Sequence, residues 1–397
     1  MNRALGDFNP PTRLLCGTGP TNPDPRVLRA LAAPVLGQFD PVFTAIMHDV
    51  MDLGRLVFRT TNERTFAISG TGRACIEAGL ASLIESGDRV LVGNCGRFGD
   101  LFVDIATRYG ARVSQVQAEW GTILDPQAIA DAVRRERPRL VCLAHGETST
   151  GMWQPLDDIG AICRECDALL AVDAVVTLGG VPVETDAWQI DMCFAGGQKC
   201  LGLPSGMSPI TYNERAERAL AARRSPVISN YFDLTQLQRY WSPERLNHHT
   251  LPTSMTYALR EALRLIVEEG LEARCLRHRR AGDALKAGLV ALGLDLFGDV
   301  HHRLPMITAV RIPDGVEDEP MRLQLLNEFG IEIATSFGPL RGRVWRIGTM
   351  GYNAELQTVL AVLQGLEQVL RSRGVAVSDG GGSEAARGAY AASIAVG

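Results

Sequence analysis

Between residues 65 and 173 the chain repeats one pattern: a short apolar run, a polar or glycine-rich junction, then apolar residues at helical spacing. The runs at 65–69, 89–92, 112–116, 140–144 and 169–173 are strand-length and rich in Val, Ile, Leu and Phe. The stretches at 73–85, 98–109, 126–135 and 159–166 read as helices. Strands alternating with helices at this rhythm predict an α/β fold, a mostly parallel sheet covered by helices on both faces. In such folds a ligand sits beyond the carboxyl ends of the strands, so the loops there are the places to look for chemistry.

At 397 residues the chain suits two domains. Residues 1–24, rich in Gly and Pro, read as an extended N-terminal arm. Residues 25–252 form the expected large domain, beginning with helices at 25–33 and 41–59. From 253 the texture changes to two long helices, 255–269 and 271–292, the second basic at Arg274, Arg277, Arg279 and Arg280. Strands at 306–312, 331–334 and 343–347 and helices at 321–329 and 353–370 complete a smaller α+β domain, 253–374. The Gly/Ala/Ser-rich tail, 375–397, reads as disordered.

A net charge of −5 gives no footprint for nucleic acid or an anionic membrane. No apolar run approaches the ~18 residues of a spanning helix, and the first fifteen residues lack the apolar core of a signal peptide, so a cytoplasmic location is expected. The nine cysteines are scattered and mostly set in apolar runs, which is core-filling usage. Cys163 and Cys166 have CxxC spacing but lack a second ligand pair, so they read as helix cysteines, and no metal is expected.

The stretch 171–205 carries one carboxylate at a strand end, Asp173, and one lysine, Lys199, set among Gly, Cys and Leu after a second apolar run. A lysine whose pKa is lowered by burial or a neighbouring cation becomes a nucleophile able to hold a carbonyl cofactor. A carboxylate beside a pyridine nitrogen keeps that nitrogen protonated, so the ring can accept electrons. Other strand-end loops add what a phosphorylated aromatic cofactor needs. Ser69-Gly70-Thr71-Gly72-Arg73 places glycines, a hydroxyl and a guanidinium at a helix start, where free N–H groups favour a phosphate. It lacks the Gly-Lys-Ser/Thr ending of a P-loop. Phe98 offers an aromatic face, and the loop 145–151, HGETSTG, offers hydroxyls.

In this order and spacing the motifs SGTGR, Phe98-Gly99, HGETSTG, VDAVVTLGG, GGQKCLGLPSG and NHHT resemble those of fold-type I, pyridoxal-5′-phosphate (PLP)-dependent aminotransferases of class V, in the alanine/serine–glyoxylate branch. The resemblance runs from about residue 14 to 370. It implies that Lys199 forms the Schiff base and moves the substrate proton, and that Asp173 partners the ring nitrogen. It further implies that Phe98 stacks on one ring face and Val175 lies against the other. Thr71, Gly72, Arg73 and Gln198 surround the phosphate, and Thr148 lies near the ring hydroxyl. In this family a partner subunit completes the phosphate site, here through His249 and Thr250, which implies a homodimer with shared sites. Arg346 matches the arginine that grips the substrate carboxylate.

Departures from the family pattern bear on the substrate. The usual Gly-Pro-Gly-Pro arm reads Gly17-Thr18-Gly19-Pro20, Gln38 replaces a histidine, and Asn247 replaces a tyrosine. Two amides thus stand where relatives carry imidazole and phenol, and an amide complements a ureido group as donor and acceptor. This variant pattern resembles the (S)-ureidoglycine–glyoxylate aminotransferases of purine breakdown, and implies ping-pong transfer from ureidoglycine to glyoxylate. The alternatives are an alanine–, serine– or other amino acid–glyoxylate transaminase, a desulfurase, and a non-catalytic binder. A desulfurase needs a cysteine on a mobile loop; Cys200, adjacent to Lys199, does not supply one.

Overall fold

The structure is a computed structural model, and the residues it describes are 9–395. The first eight residues of the expected arm and the last two of the expected tail lie outside the described residues. The strands are β1 (Leu14–Leu15), β2 (Arg64–Ser69), β3 (Arg89–Asn94), β4 (Arg112–Gln117), β5 (Leu140–Ala144), β6 (Gly146–Glu147), β7 (Met152–Trp153), β8 (Leu169–Asp173), β9 (Met192–Phe194), β10 (Met207–Tyr212), β11 (Ile307–Arg311), β12 (Ile331–Glu332), β13 (Ala334–Thr335) and β14 (Val344–Gly348). The helices are α1 (Pro25–Leu31), α2 (Pro41–Phe58), α3 (Gly72–Leu83), α4 (Arg97–Arg108), α5 (Pro126–Glu136), α6 (Ile159–Glu165), α7 (Glu214–Ala221), α8 (Leu234–Trp241), α9 (Thr253–Glu269), α10 (Leu271–Ala291), α11 (Asp318–Phe329), α12 (Leu356–Ser372) and α13 (Gly381–Ala395).

Seven strands form the central sheet in the order β2-β10-β9-β8-β5-β3-β4. Every pairing is parallel except those of β10, which runs antiparallel between β2 and β9. This is the fold-type I architecture, with helices on both faces. Its inner strands β5, β8 and β9 are buried along their whole length, as apolar runs covered on two faces must be. Several helices start on the same local device: an Asp before a Pro, whose carboxylate takes the N–H two residues on. Asp24, Asp40 and Asp125 cap α1, α2 and α5 at 2.7, 2.8 and 2.9 Å.

A large apolar core, running in sequence from Val27 to Ile266, surrounds this sheet. A second core lies beneath α10, α11 and α12 and the small sheet β11-β14-β13. A third, smaller cluster joins Val176, Val181 and Cys200 to Leu304, Met306, Ile307 and Met350. The segment expected as one strand at 331–334 is two: β12 pairs in parallel with β1, while β13 pairs with β14. The arm is thereby stitched to the C-terminal part, with Gly348 N–H donating to the Cys16 carbonyl at 2.7 Å.

The tail corrects the expectation of disorder. Residues 381–395 form α13, which packs on α10 and α12 with Ala386 fully buried. Glycines make the approach close: a Cβ on Gly288 would lie 2.8 Å from the Gly382 carbonyl. Small residues that suggest a flexible linker by composition here allow two helices to touch.

Candidate active site

Asp173 ends β8, and Lys199 lies beyond the carboxyl end of its neighbour β9, in the wide turn 197–201. The pair therefore sits where a parallel sheet opens its loops. Asp173 is 3% exposed, and its Oδ1 accepts the Val175 N–H at 2.7 Å. Burial pushes its pKa up to about 7, the Glu147 charge adds to that, and the Val175 hydrogen bond and Lys199 oppose it. Lys199 keeps a narrow window to solvent, but most of its length is shielded. Burial pulls its pKa down to about 8, assisted by the Arg346 charge and opposed by Asp173. The amine is thus far closer to its neutral, nucleophilic form at physiological pH than a surface lysine.

The arm closes over this lysine. Its Nζ donates to the Thr18 carbonyl. Gly19 has φ of +108°, and a Cβ there would lie 2.6 Å from Lys199 Cδ and 2.7 Å from Nζ. The positive φ is what favours glycine here, and any side chain at this position would also have to displace the end of the lysine.

Arg346, on β14, is 3% exposed. Its Nε and Nη2 donate to the Thr335 carbonyl at 3.0 and 2.6 Å, and Nη1 to the Thr148 carbonyl at 2.8 Å. Its guanidinium carbon stands 4.5 Å from the Phe337 ring centre. A guanidinium has five N–H donors, so one on each of Nη1 and Nη2 is left, the fork that meets a carboxylate edge-on. Burial draws its pKa down to about 10, with Glu147 opposing.

Glu147 organises the third side. Buried to 2% exposure, it accepts the Phe98 and Ser149 N–H groups, each at 2.9 Å. Phe98, half-buried at the start of α4, is held by that bond. Gly72 opens α3, and a Cβ there would lie 3.0 Å from both γ-carbons of Val175. Thr71 and Arg73, beside the same helix start, are exposed, and the Thr71 hydroxyl makes no capping bond. Gln198 holds a buried Oε1 with no partner among the described residues.

The remaining expected residues form a second group. Gln38 Nε2 donates to Asn247 Oδ1 at 3.1 Å. His249 Nε2 lies 2.7 Å from Ser69 Oγ, at the root of the phosphate-type turn, and burial followed by the His248 charge pulls its pKa down to about 4. Thr250 is exposed. Within one chain, then, the segment 247–250 rests on its own Gln38 and Ser69. Glu147 and the Thr18 carbonyl are not marked as individual site groups by the sequence. Glu147 packs against Gly96, where a Cβ would lie 2.4 Å from its carboxyl carbon, a closeness that arises only in the fold.

A buried acid with one oxygen engaged, a lysine of lowered pKa and a free fork of guanidinium N–H groups define a site for carbonyl–amine exchange. The class-V aminotransferase family model matches residues 35–341, and the chain belongs to that family. It is 50% identical to the (S)-ureidoglycine–glyoxylate transaminase of Bacillus subtilis, across 96% of each chain. It superposes on a crystal structure of ureidoglycine–glyoxylate aminotransferase from Bacillus subtilis with a TM-score of 0.96 and 52% identity, covering 97% of this chain and 100% of that one. The alanine–glyoxylate aminotransferase of Mus musculus is 40% identical over 91% of this chain and 88% of its own. A crystal structure of alanine–glyoxylate aminotransferase from Nostoc sp. gives a TM-score of 0.91 at 44% identity, over 93% of this chain and 98% of that one.

The protein is accordingly a PLP-dependent transaminase. The residues present fit that cofactor. Among the described residues Asp173 has no cationic hydrogen-bond partner, which a protonated ring nitrogen would supply. The unpartnered Gln198 Oε1 and the free start of α3 are polar groups awaiting a ligand. No described helix is long and apolar enough to cross a membrane.

Proposed function

We propose that this chain transfers the amino group of (S)-ureidoglycine to glyoxylate, giving oxalurate and glycine. The observation that carries the reading is the amide pair Gln38–Asn247, standing in a chain half identical to a Bacillus enzyme of that name. Gln38 Oε1 is buried and has no partner among the described residues, so it is an acceptor available to a ureido N–H.

Bound PLP supplies an electron sink for the pair left on the donor's amino-bearing carbon when its proton departs. The chain's own groups divide the remaining work. Asp173 holds the proton on the ring nitrogen and is itself kept ionised by that cation. Lys199 would hold the cofactor through its amine, and its free Nζ would take the proton from the donor carbon and return it. The Thr18 carbonyl is the acceptor against which the free Nζ rests between steps. Arg346 grips the carboxylate shared by donor, glyoxylate and both products, which orients either partner the same way in the two half-reactions. Phe98 and Val175 would hold the two faces of the ring, Thr148 would serve its hydroxyl, and Thr71, Gly72, Arg73 and Gln198 would hold the phosphate.

The working form in this reading is a homodimer in which the segment carrying His249 and Thr250 lies at the subunit boundary and completes the partner's phosphate site. Val35, Phe39, Val42, Ile228 and Leu246 stand exposed around Gln38 and Asn247, an apolar rim that suits a second copy of the chain. Light scattering that gives a monomer at micromolar concentration would refute this assembly.

A donor panel tests the substrate, with glyoxylate as acceptor and ureidoglycine generated in place. Ureidoglycine is expected to give the fastest first half-reaction; faster turnover of alanine or serine overturns the reading. Gln38→His with Asn247→Tyr is expected to lower ureidoglycine turnover about tenfold or more, the worth of one or two hydrogen bonds, and to leave alanine unharmed.

A further inference from the structure

Arg274 lies in the first turns of α10, distant in sequence from both reacting groups, and is 6% exposed. Its guanidinium is divided among three partners. Nε donates to the Gly179 carbonyl at 3.1 Å, Nη2 to the Cys200 carbonyl at 2.7 Å, and Nη1 to Glu269 at 2.7 Å. Cys200 directly follows Lys199. Gly179 closes the compact loop that begins at Asp173, in which Leu178 N–H bonds Ala174 O and Gly180 N–H bonds Thr177 O, each at 2.9 Å. A movement of Gly179 is therefore carried back through those turns to the end of β8. Cys200 Sγ donates to Val176 O at 3.1 Å, a second and weaker tie between the same two segments.

We propose that Arg274 is a positioning residue that fixes the spacing between Asp173 and Lys199 by bridging the backbones that carry them. The choice of side chain fits the task. One rigid planar fork reaches three separated acceptors from three different nitrogens, whereas the donors of an ammonium all leave a single nitrogen. Glu269 compensates the buried charge, and Arg277 binds the same carboxylate at 2.6 and 3.0 Å. Arg277 in turn donates to the Gly351 and Ala354 carbonyls at 2.9 and 3.0 Å, while His278 Nε2 accepts the Gly351 N–H at 3.0 Å. The bridge is thus anchored in the C-terminal part of the chain, and a displacement of α10 reaches both reacting groups through Arg274.

A purely structural arginine predicts lost stability with unchanged chemistry at Lys199, which makes the proposal separable. Arg274→Met and Arg274→Lys are compared with wild type as apoenzyme and holoenzyme. In the apoenzyme, acylation of Lys199 by an amine-directed reagent is followed against pH by peptide mass spectrometry. Asp173 raises the lysine's proton affinity, so a widened gap is expected to lower the half-modification pH by about half a unit or more in the Met variant. Loss of a nearby positive charge alone moves that midpoint upward, so the sign decides. In the holoenzyme the first half-reaction is expected to slow about 10–100-fold, with donor KM changed much less and partial recovery in the Lys variant.

A folded Met variant with wild-type midpoint and half-reaction rate, or an upward midpoint, overturns the proposal. If the Met variant does not fold, the Lys variant decides by the same two criteria. The inference rests on Lys199 and Asp173 being the reacting pair. Turnover retained in Lys199→Ala would refute that assignment, whatever the Arg274 variants show.

Discussion

Asp173→Asn separates what this carboxylate costs the fold from what it supplies to the reaction. The side chain is 3% exposed, and burial pushes its pKa from the ordinary 3.8 to about 7. At about 1.4 kcal/mol per tenfold change in proton affinity, keeping it ionised without its cofactor costs the apoprotein roughly 4 kcal/mol at most. The folded protein binds this proton more tightly than the unfolded chain. The contribution is therefore fully favourable below about pH 4, is lost as pH rises, and is gone above about pH 7. Asparagine has the same shape, still accepts the Val175 N–H, and carries no such dependence. Apo Asp173→Asn is expected to be more stable than apo wild type at pH 8 by roughly 1–4 kcal/mol, with the difference shrinking towards pH 5. With PLP bound the sign reverses, because the protonated ring nitrogen offsets the carboxylate's desolvation. The variant is expected to hold the cofactor more weakly and to slow the half-reaction about 100-fold or more. Urea denaturation of both apoproteins between pH 5 and 8, with absorbance titration of cofactor binding, measures the two effects. An apo variant no more stable than wild type at pH 8, or a gap that does not vary with pH, would refute the reasoning.

Gly19→Ala sets a side chain against Lys199 Cδ and Nζ at 2.6 and 2.7 Å, on a backbone with φ of +108°. A strain of about 1–3 kcal/mol and a displaced lysine are expected, seen as weaker cofactor retention on dialysis; full retention would show that the arm does not press on Lys199. Deleting residues 378–397 removes α13 and uncovers the face of α10 beneath it. The melting temperature is expected to fall by about 5 °C or more, and an unchanged melt would mean that the helix adds nothing to the fold.

Much of the fold was legible because its determinants are local. Apolar runs of strand length and helical spacing between them each act within a few residues, so the α/β rhythm from 65 to 173 can be read directly. Where neighbours decide, reading fails. The segment 331–334 has the composition of one strand, yet its halves join different sheets because β1 of the distant arm pairs with the first and β14 with the second. The tail has the composition of a linker, yet its small residues let α13 lie closely on α10.

The site divides along the same line. Asp173 and Lys199 stand out in sequence because each is an isolated ionisable group after an apolar run, but it is their combination with the other strand-end motifs, in order and spacing, that points to carbonyl–amine chemistry. Their altered proton affinities do not appear in sequence, because desolvation and the charges of Glu147 and Arg346 come from other segments of the chain. Arg274 reads as one more basic residue on a basic helix until the fold buries it across two backbone carbonyls. The linear chain specifies which groups are available and the local elements that carry them. The distances between those groups, and the water removed from around them, exist only once the sheet, the arm and α10 have packed together.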